Sequence, residues 1–350
     1  MKVNTCSKIN RWIIGLAFLL LPVLNACKKE TPETPIEQAK SGKSVFVLNE
    51  GTFNWGNASL DLINTETGTL TEDVFMTANK RPLGDVLQSL TFIDKQAWLV
   101  VNNSMKIERI NPENFISTGI IQPLTSPRYL LPLENKVYVS DLYADKIHIL
   151  NRQTGAITGG VKCSGWTEEM LLVNNQVWVC NVRKAKVYVI DPQADVITDS
   201  ITVGDAPRSI VQDNKGQVWV LCEGKIPPGE TTGSLWKIDA QSRMVLSSFT
   251  FPAKSHPSAL CTNADKSSLL FLLNGLYQMP VDAANLPDKP WIEQEQRLFY
   301  GLAVNPADNT IWLSDAKDYV QKGEVIQLNP EGTIKASWKA GVAPRAFYFY

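Results

Sequence analysis

Short runs in which β-branched and aromatic residues alternate with polar ones recur along nearly the whole chain. One kind of run is centred on a large apolar residue: Val45-Phe46-Val47, Ala97-Trp98-Leu99-Val100, Val137-Tyr138-Val139, Val177-Trp178-Val179, Val218-Trp219-Val220, Leu270-Phe271-Leu272 and Ile311-Trp312-Leu313. Period-two alternation of such residues reads as β-strand. Each run is followed by a second alternating strand, such as Lys146-Ile147-His148-Ile149-Leu150 or Lys186-Val187-Tyr188-Val189-Ile190. That strand usually closes on Asn or Asp, at Asn64, Asn111, Asn151, Asp191, Asp239 and Asn329. There a short side chain can bond the amides of its own turn. In Thr67-Gly68 and Thr154-Gly155 the glycine stands where such a turn requires positive φ. A further strand follows, as over residues 197–203. Another, such as Arg208-Ser209-Ile210-Val211, precedes each aromatic strand across a tight turn like Asn174-Asn175 or Asn214-Lys215-Gly216.

The large apolar residue falls at positions 46, 98, 138, 178, 219, 271 and 312, a spacing of 40–52 residues. Seven four-stranded units at a sustained period predict an all-β, seven-bladed β-propeller. A sandwich would show the same strand density without the period. Residues 44–75 hold three strands of a blade and lack the first. The C-terminal Pro344-Arg345-Ala346-Phe347-Tyr348-Phe349-Tyr350 matches the missing one, as in Pro127-Arg128-Tyr129-Leu130. The C-terminal strand is therefore predicted to close blade one and remove an open edge. One domain over 44–350 results.

The beginning of the chain has another character. Lys2, Lys8 and Arg11 precede an apolar run over residues 12–24, too short to span a bilayer and of the length of a secretory core segment. It ends in Leu24-Asn25-Ala26-Cys27, which resembles a bacterial lipobox. Residues 1–26 are thus expected to be a lipoprotein signal peptide, with Cys27 lipidated. Residues 27–43 lack an apolar pattern and are expected to be a flexible tether. Membrane attachment would come through the lipid anchor only. Lys28-Lys29-Glu30 resembles the surface-export signal of Bacteroidetes lipoproteins, which implies the outer membrane and the cell surface.

Composition removes several functions. With 34 Lys+Arg against 35 Asp+Glu there is no basic field for a phosphate backbone, so nucleic acid is not an expected partner. The two histidines, His148 and His256, are too few for a His-rich zinc site. Cys163, Cys180, Cys222 and Cys261 form no C-x-x-C and fall in different blades or strands, which predicts free, mostly buried thiols. Glycine-rich phosphate loops, G-x-S-x-G and D-x-D-x-D-G loops do not occur. No catalytic residue and no cofactor is assigned.

In a propeller the second-to-third strand loops and the blade-to-blade loops share one face around the central channel. That face collects Phe53, Trp55, Tyr143, Trp166, Tyr300 and Tyr319, together with Asn103, Asp141, Arg128, Arg208 and Arg345. These residues are the candidate ligand-binding set, because aromatic surface interleaved with donors suits a flat, amide-rich or ring-shaped ligand. Trp98, Trp178, Trp219 and Trp312 lie mid-strand and belong to the core. The Pro-Arg pairs ending in Arg128, Arg208 and at 344–345 read equally as ligand donors or as a blade-start device bonding neighbouring carbonyls. Glu168 and Glu169 are adjacent on a strand, hence expected on opposite faces and not in one site. Asp141, Asp145, Asp315 and Asp318 could gather a cation, and His256 could ligate a metal within a bound ligand.

Several upper-face blocks carry a family resemblance: Val47-Leu48-Asn49-Glu50-Gly51-Thr52-Phe53, Arg81-Pro82-Leu83-Gly84-Asp85-Val86, Val100-Val101-Asn102-Asn103-Ser104, Ser126-Pro127-Arg128-Tyr129, Tyr138-Val139-Ser140-Asp141-Leu142-Tyr143, Gly165-Trp166-Thr167-Glu168 and Asp315-Ala316-Lys317-Asp318-Tyr319-Val320-Gln321. With them the mature chain resembles the YncE-like, YVTN-type propeller lipoproteins of Bacteroidetes, and among these the BtuG-type, vitamin B12-capturing branch. The resemblance implies a non-enzymatic protein that binds cobalamin or a related corrinoid and passes it to a TonB-dependent outer-membrane transporter. Two other classes use the same face: a binder of glycan or protein, and an enzyme of the propeller lactonase kind.

Overall fold

The computed structural model describes residues 37–350, and the signal-peptide and Cys27 expectations lie outside these residues. Seven four-stranded antiparallel sheets follow one another along the chain, which makes the fold an all-β seven-bladed propeller. Blade four shows the plan, with Thr167–Val173 innermost, then Gln176–Asn181, Lys186–Asp191 and Val196–Thr202 outermost. Second strands are packed on both faces and read as apolar runs, as in the wholly buried Val218–Cys222. Outermost strands alternate and stay half in solvent, as Val196–Thr202 does.

Trp98, Trp178, Trp219 and Trp312 are all buried, as their mid-strand positions predict. Trp98 packs with Leu130, Val137 and Val139 of the next blade. Trp312 stacks on Trp338 at 5.5 Å between ring centres. The turn chemistry also follows the sequence. Asn64 Oδ1 accepts from the amides of Glu66 and Thr67 at 2.9 and 3.2 Å, and Asp191 and Asp239 repeat the device. Gly68 and Gly155 adopt φ of 71° and 75°. Cys163, Cys180 and Cys222 are free and buried. Burial pushes the Cys163 thiol up to about 11 and the Cys222 thiol up to about 12, so neither is poised as a nucleophile.

Blade one closes as predicted. Pro344–Phe349 pairs antiparallel with Ser44–Asn49, setting Val45 opposite Phe349 and Val47 opposite Phe347. The packed region starts earlier than position 44. Ala39 is buried and its amide bonds Glu113 O at 3.1 Å, while the Glu37 carboxylate accepts from Asn64 and Thr69. Residues 37–43 are therefore held by blades one and two, and the expected flexible tether does not extend to 43.

One feature of the inner strands could not be read from the pattern. Every blade carries a register shift near the start of its inner strand, between Leu87 and Ser89, Pro127 and Leu130, Thr167 and Met170, Pro207 and Ser209, Ser258 and Cys261, Phe299 and Leu302, and opposite Leu48/Asn49 in blade one. Such bulges re-aim side chains at a sheet end. Here they act at the channel mouth.

Candidate functional site

The bulged positions build a ring. Gln88, Arg128, Glu168, Arg208, Ala259, Tyr300 and Arg345, one from each blade, line a central cavity of about 510 Å³. Arg128 Nε donates to Glu168 Oε2 at 2.8 Å and its Nη1 to Gln88 Oε1. Arg208 donates to the other oxygen of Glu168 and pairs with Glu223 at 2.6 Å. Across the mouth Arg345 Nη1 donates to the Tyr300 hydroxyl at 2.8 Å, and that hydroxyl donates to Glu50 at 2.6 Å. Arg345 also faces Glu50 at 3.2 Å. The three arginines thus do bond neighbouring blades, but through carboxylates, an amide and a phenol, and not through carbonyls. Their charges are offset by Glu50, Glu168 and Glu223, and the mouth is polar without a strong net field.

Glu169 also lines this cavity, which corrects the expectation that Glu168 and Glu169 point to opposite faces. Strict alternation assumes an unbroken strand, and the shift between Thr167 and Met170 breaks it. Glu169 accepts from the Ile210 amide at 3.1 Å. Burial, with Glu168 beside it, pushes its carboxyl up to about 7. A raised carboxyl favours the fold while protonated, so its contribution is complete below about pH 4.5 and is lost as pH rises through about 7. Glu169→Gln keeps an acceptor for Ile210 and removes that loss. We expect its stability relative to the parent to improve by about 2 kcal/mol between pH 5 and pH 8, read from urea midpoints. A difference independent of pH would show that Glu169 is not the group responsible.

Outside the mouth lie the aromatic residues. Trp55, Phe53, Tyr143 and Tyr319 are 67, 62, 56 and 40% exposed, in contrast to the buried strand tryptophans. Tyr319 meets Tyr300 edge to face at 5.1 Å, and Thr52 Oγ1 donates to Tyr319 O at 2.9 Å, so the loops of blades one and seven are tied together. Tyr143 meets the half-buried Trp166 edge to face at 5.8 Å, with the Arg183 guanidinium 4.3 Å above the Trp166 ring. Asn103 Nδ2 donates to Asn54 Oδ1 at 2.9 Å and also reaches Asp85, bracing the loop that carries Phe53 and Trp55. Phe53, Trp55, Asn103, Tyr143 and Trp166 are loop residues, whereas Arg128, Arg208, Tyr300 and Arg345 are cavity-lining.

Asp141 stands apart. It is buried, and its oxygens accept from the amides of Thr125, Ser126, Tyr143 and Ala144, with His148 Nε2 at 3.2 Å. Its observed role is to shape the loop that presents Tyr143. Asp315 is buried in the same manner, accepting from Leu298 and Lys317. Both ring nitrogens of His256 are engaged, by Glu223 O and Glu230. Among the described residues no group of three His, Cys, Asp or Glu could hold a metal ion, and the four aspartates do not gather.

Sequence reasoning overlooked Gln88, Glu168 and Glu169 as cavity residues and Arg183 beside Trp166. A signal for the first two was present, since 88, 128, 168 and 208 are spaced by 40 residues. Positions equivalent to Arg128 and Arg208 could have been read off directly.

A family model described as "Domain of unknown function (DUF5074)" matches residues 43–331. No curated protein matches the chain. Among solved structures, a quinonprotein alcohol dehydrogenase-like protein from Bacteroides thetaiotaomicron superposes with TM-score 0.69 at 12% identity, covering 88% of this chain and 78% of that one. A protein from Lactobacillus plantarum gives 0.66 at 15%, covering 88% and 99%. Kuenenia stuttgartiensis hydrazine synthase gives 0.59 at 14%, covering 73% and 87%. At such identities the likeness is one of fold.

Proposed function

We propose that this chain, which belongs to the DUF5074 family, is a cell-surface lipoprotein that captures a corrinoid such as cobalamin on the upper face of its propeller and passes it on without turnover. The observation that carries this reading is the set of exposed aromatics, Phe53, Trp55, Tyr143 and Tyr319, on the face whose channel mouth is ringed by amide, guanidinium and carboxylate groups. A corrin offers the complementary surface, a broad apolar rim with projecting amides. Ring faces cover the rim, while Asn103, Arg128, Arg208 and Arg345 supply partners for the amides. Internal bonding among the mouth residues holds these groups in place before the ligand arrives, which lowers the ordering cost of binding. The same commitment of Arg128, Glu168 and Arg208 to one another supports a binding role over acid–base chemistry. The lipobox-like end at Cys27 supports lipid anchoring, and the charged residues after it support delivery to a TonB-dependent transporter in the outer membrane.

Calorimetry tests the reading. The purified protein should bind cobalamin at one site. Trp55→Ala or Tyr143→Ala should each lower affinity about thirtyfold, as aromatic anchors do when truncated. Lys215→Ala, in a lower-face turn, should leave it unchanged. If the parent gives no heat at micromolar concentrations, the corrinoid reading is replaced by that of a glycan or protein binder on the same face.

A further inference from the structure

The loops of blades three and four enclose a second hollow, of about 260 Å³, away from the channel mouth. Tyr143, Asp145, Ser164, Gly165, Arg183 and Lys184 line it. Its walls are fixed from beneath. Buried Asn181 donates through Nδ2 to Ser164 O at 3.0 Å and accepts through Oδ1 from the Lys184 amide at 3.2 Å, so one side chain ties the two loops together. Asn181 also caps the single turn Val182–Lys184, which sets Arg183 and Lys184 side by side. Trp166 holds the other elements, with the Tyr143 edge on one side and Arg183 over its face.

The charges do not cancel. Among the described residues neither Arg183 nor Lys184 makes an ion pair. Among the described residues Asp145 is the one carboxylate lining the hollow, and it accepts from the Gly165 amide at 3.2 Å. Two cations against one carboxylate leave a single positive charge beside the exposed ring of Tyr143. A guanidinium already oriented by an aromatic face presents its remaining N–H edge with little further loss of freedom. Phosphodiesters and carboxylates carry the one negative charge that matches.

We infer that this hollow receives a flat ring bearing a single negative charge, the ring lying against Tyr143 and the anionic group between Arg183 and Lys184. The anion is a phosphodiester or a carboxylate. On the corrinoid reading, on which this last step rests, the group is the phosphodiester-linked nucleotide arm of a complete corrinoid, and the hollow distinguishes complete from truncated corrinoids.

Calorimetry at low salt with cyclic AMP, nicotinate and adenosine tests the site without any corrinoid. At least one of the charged rings should bind tenfold or more tightly than adenosine, and added salt should shrink that margin. Which one does so identifies the anion. The double variant Arg183→Gln/Lys184→Gln should abolish the margin and leave adenosine binding as it was. Adenosine binding as tightly as both charged rings, neither charged ring binding, or a double variant indistinguishable from the parent overturns the inference. Cobalamin and cobinamide, which lacks the nucleotide arm, form the second arm. A preference for cobalamin that vanishes in the double variant supports the assignment to a corrinoid. If the charged ring binds but neither corrinoid does, the site stands and the corrinoid reading falls. If both corrinoids bind equally while the charged rings fail, the site falls and the corrinoid reading stands.

Discussion

Deleting residues 344–350 is expected to abolish cooperative unfolding, followed by circular dichroism on heating. The segment supplies the inner strand of blade one, and its removal leaves Ser44–Asn49 with an unpaired edge. Trp312 loses two neighbours at once, Phe347 and Phe349, each with its ring centre 6.0 Å away. Phe46 and Phe92 lose Tyr350, at 5.8 and 5.0 Å. Full burial of a large apolar side chain is worth about 1.5–3 kcal/mol. Phe347 is buried and Phe349 and Tyr350 partly so, and their combined loss is a large share of the roughly 5–15 kcal/mol by which whole domains are stable. Blade one then cannot hold blades seven and two together. A truncated protein that melts like the parent would show that the ring does not depend on this strand.

Glu168→Ala is expected to destabilise the protein by about 3–5 kcal/mol in chemical denaturation, as removal of one partner from a buried ion pair does. The Glu168 side chain is 1% exposed and the Arg128 side chain 11%, so the guanidinium left behind stays out of water with no carboxylate facing it. Arg208, more exposed at 30%, keeps Glu223 and suffers less. Glu168→Gln should cost less than the alanine variant, because an amide oxygen still accepts from Arg128. A loss below about 1 kcal/mol for alanine would mean that the three charges do not act as a unit.

The propeller was legible because its causes are local and repeated. Period-two strands, Asx turns and the large apolar residue of each second strand recur at a spacing that a sandwich does not produce. The closing strand was legible for the same reason, as Pro344-Arg345 copies Pro127-Arg128. The site was legible only in part. Exposed Trp55 and Tyr143 could be separated from buried Trp98 and Trp178 by loop against strand position. The fate of Asp141 could not, since four amides converge on it only after the loop has folded. Glu168 and Glu169 were misplaced because a bulge costs one residue of register and leaves no mark in a hydrophobic pattern. The end of the tether was misplaced because Ala39 is a single small apolar residue, and only the cleft between two blades makes it part of the core.

Seven nearly equivalent positions around one axis raise a question of degeneracy. A mouth ringed by seven like side chains would offer a ligand seven rotated poses of equal energy and no means of choosing among them. At these equivalent positions six blades place a polar side chain and the sixth in chain order places Ala259. The two charged arcs, Gln88-Arg128-Glu168-Arg208 on one side and Tyr300-Arg345 on the other, are thereby unequal and separated by a notch. Rotational symmetry is broken in the side chains while the backbone keeps it, and a guest without symmetry of its own meets a single preferred orientation.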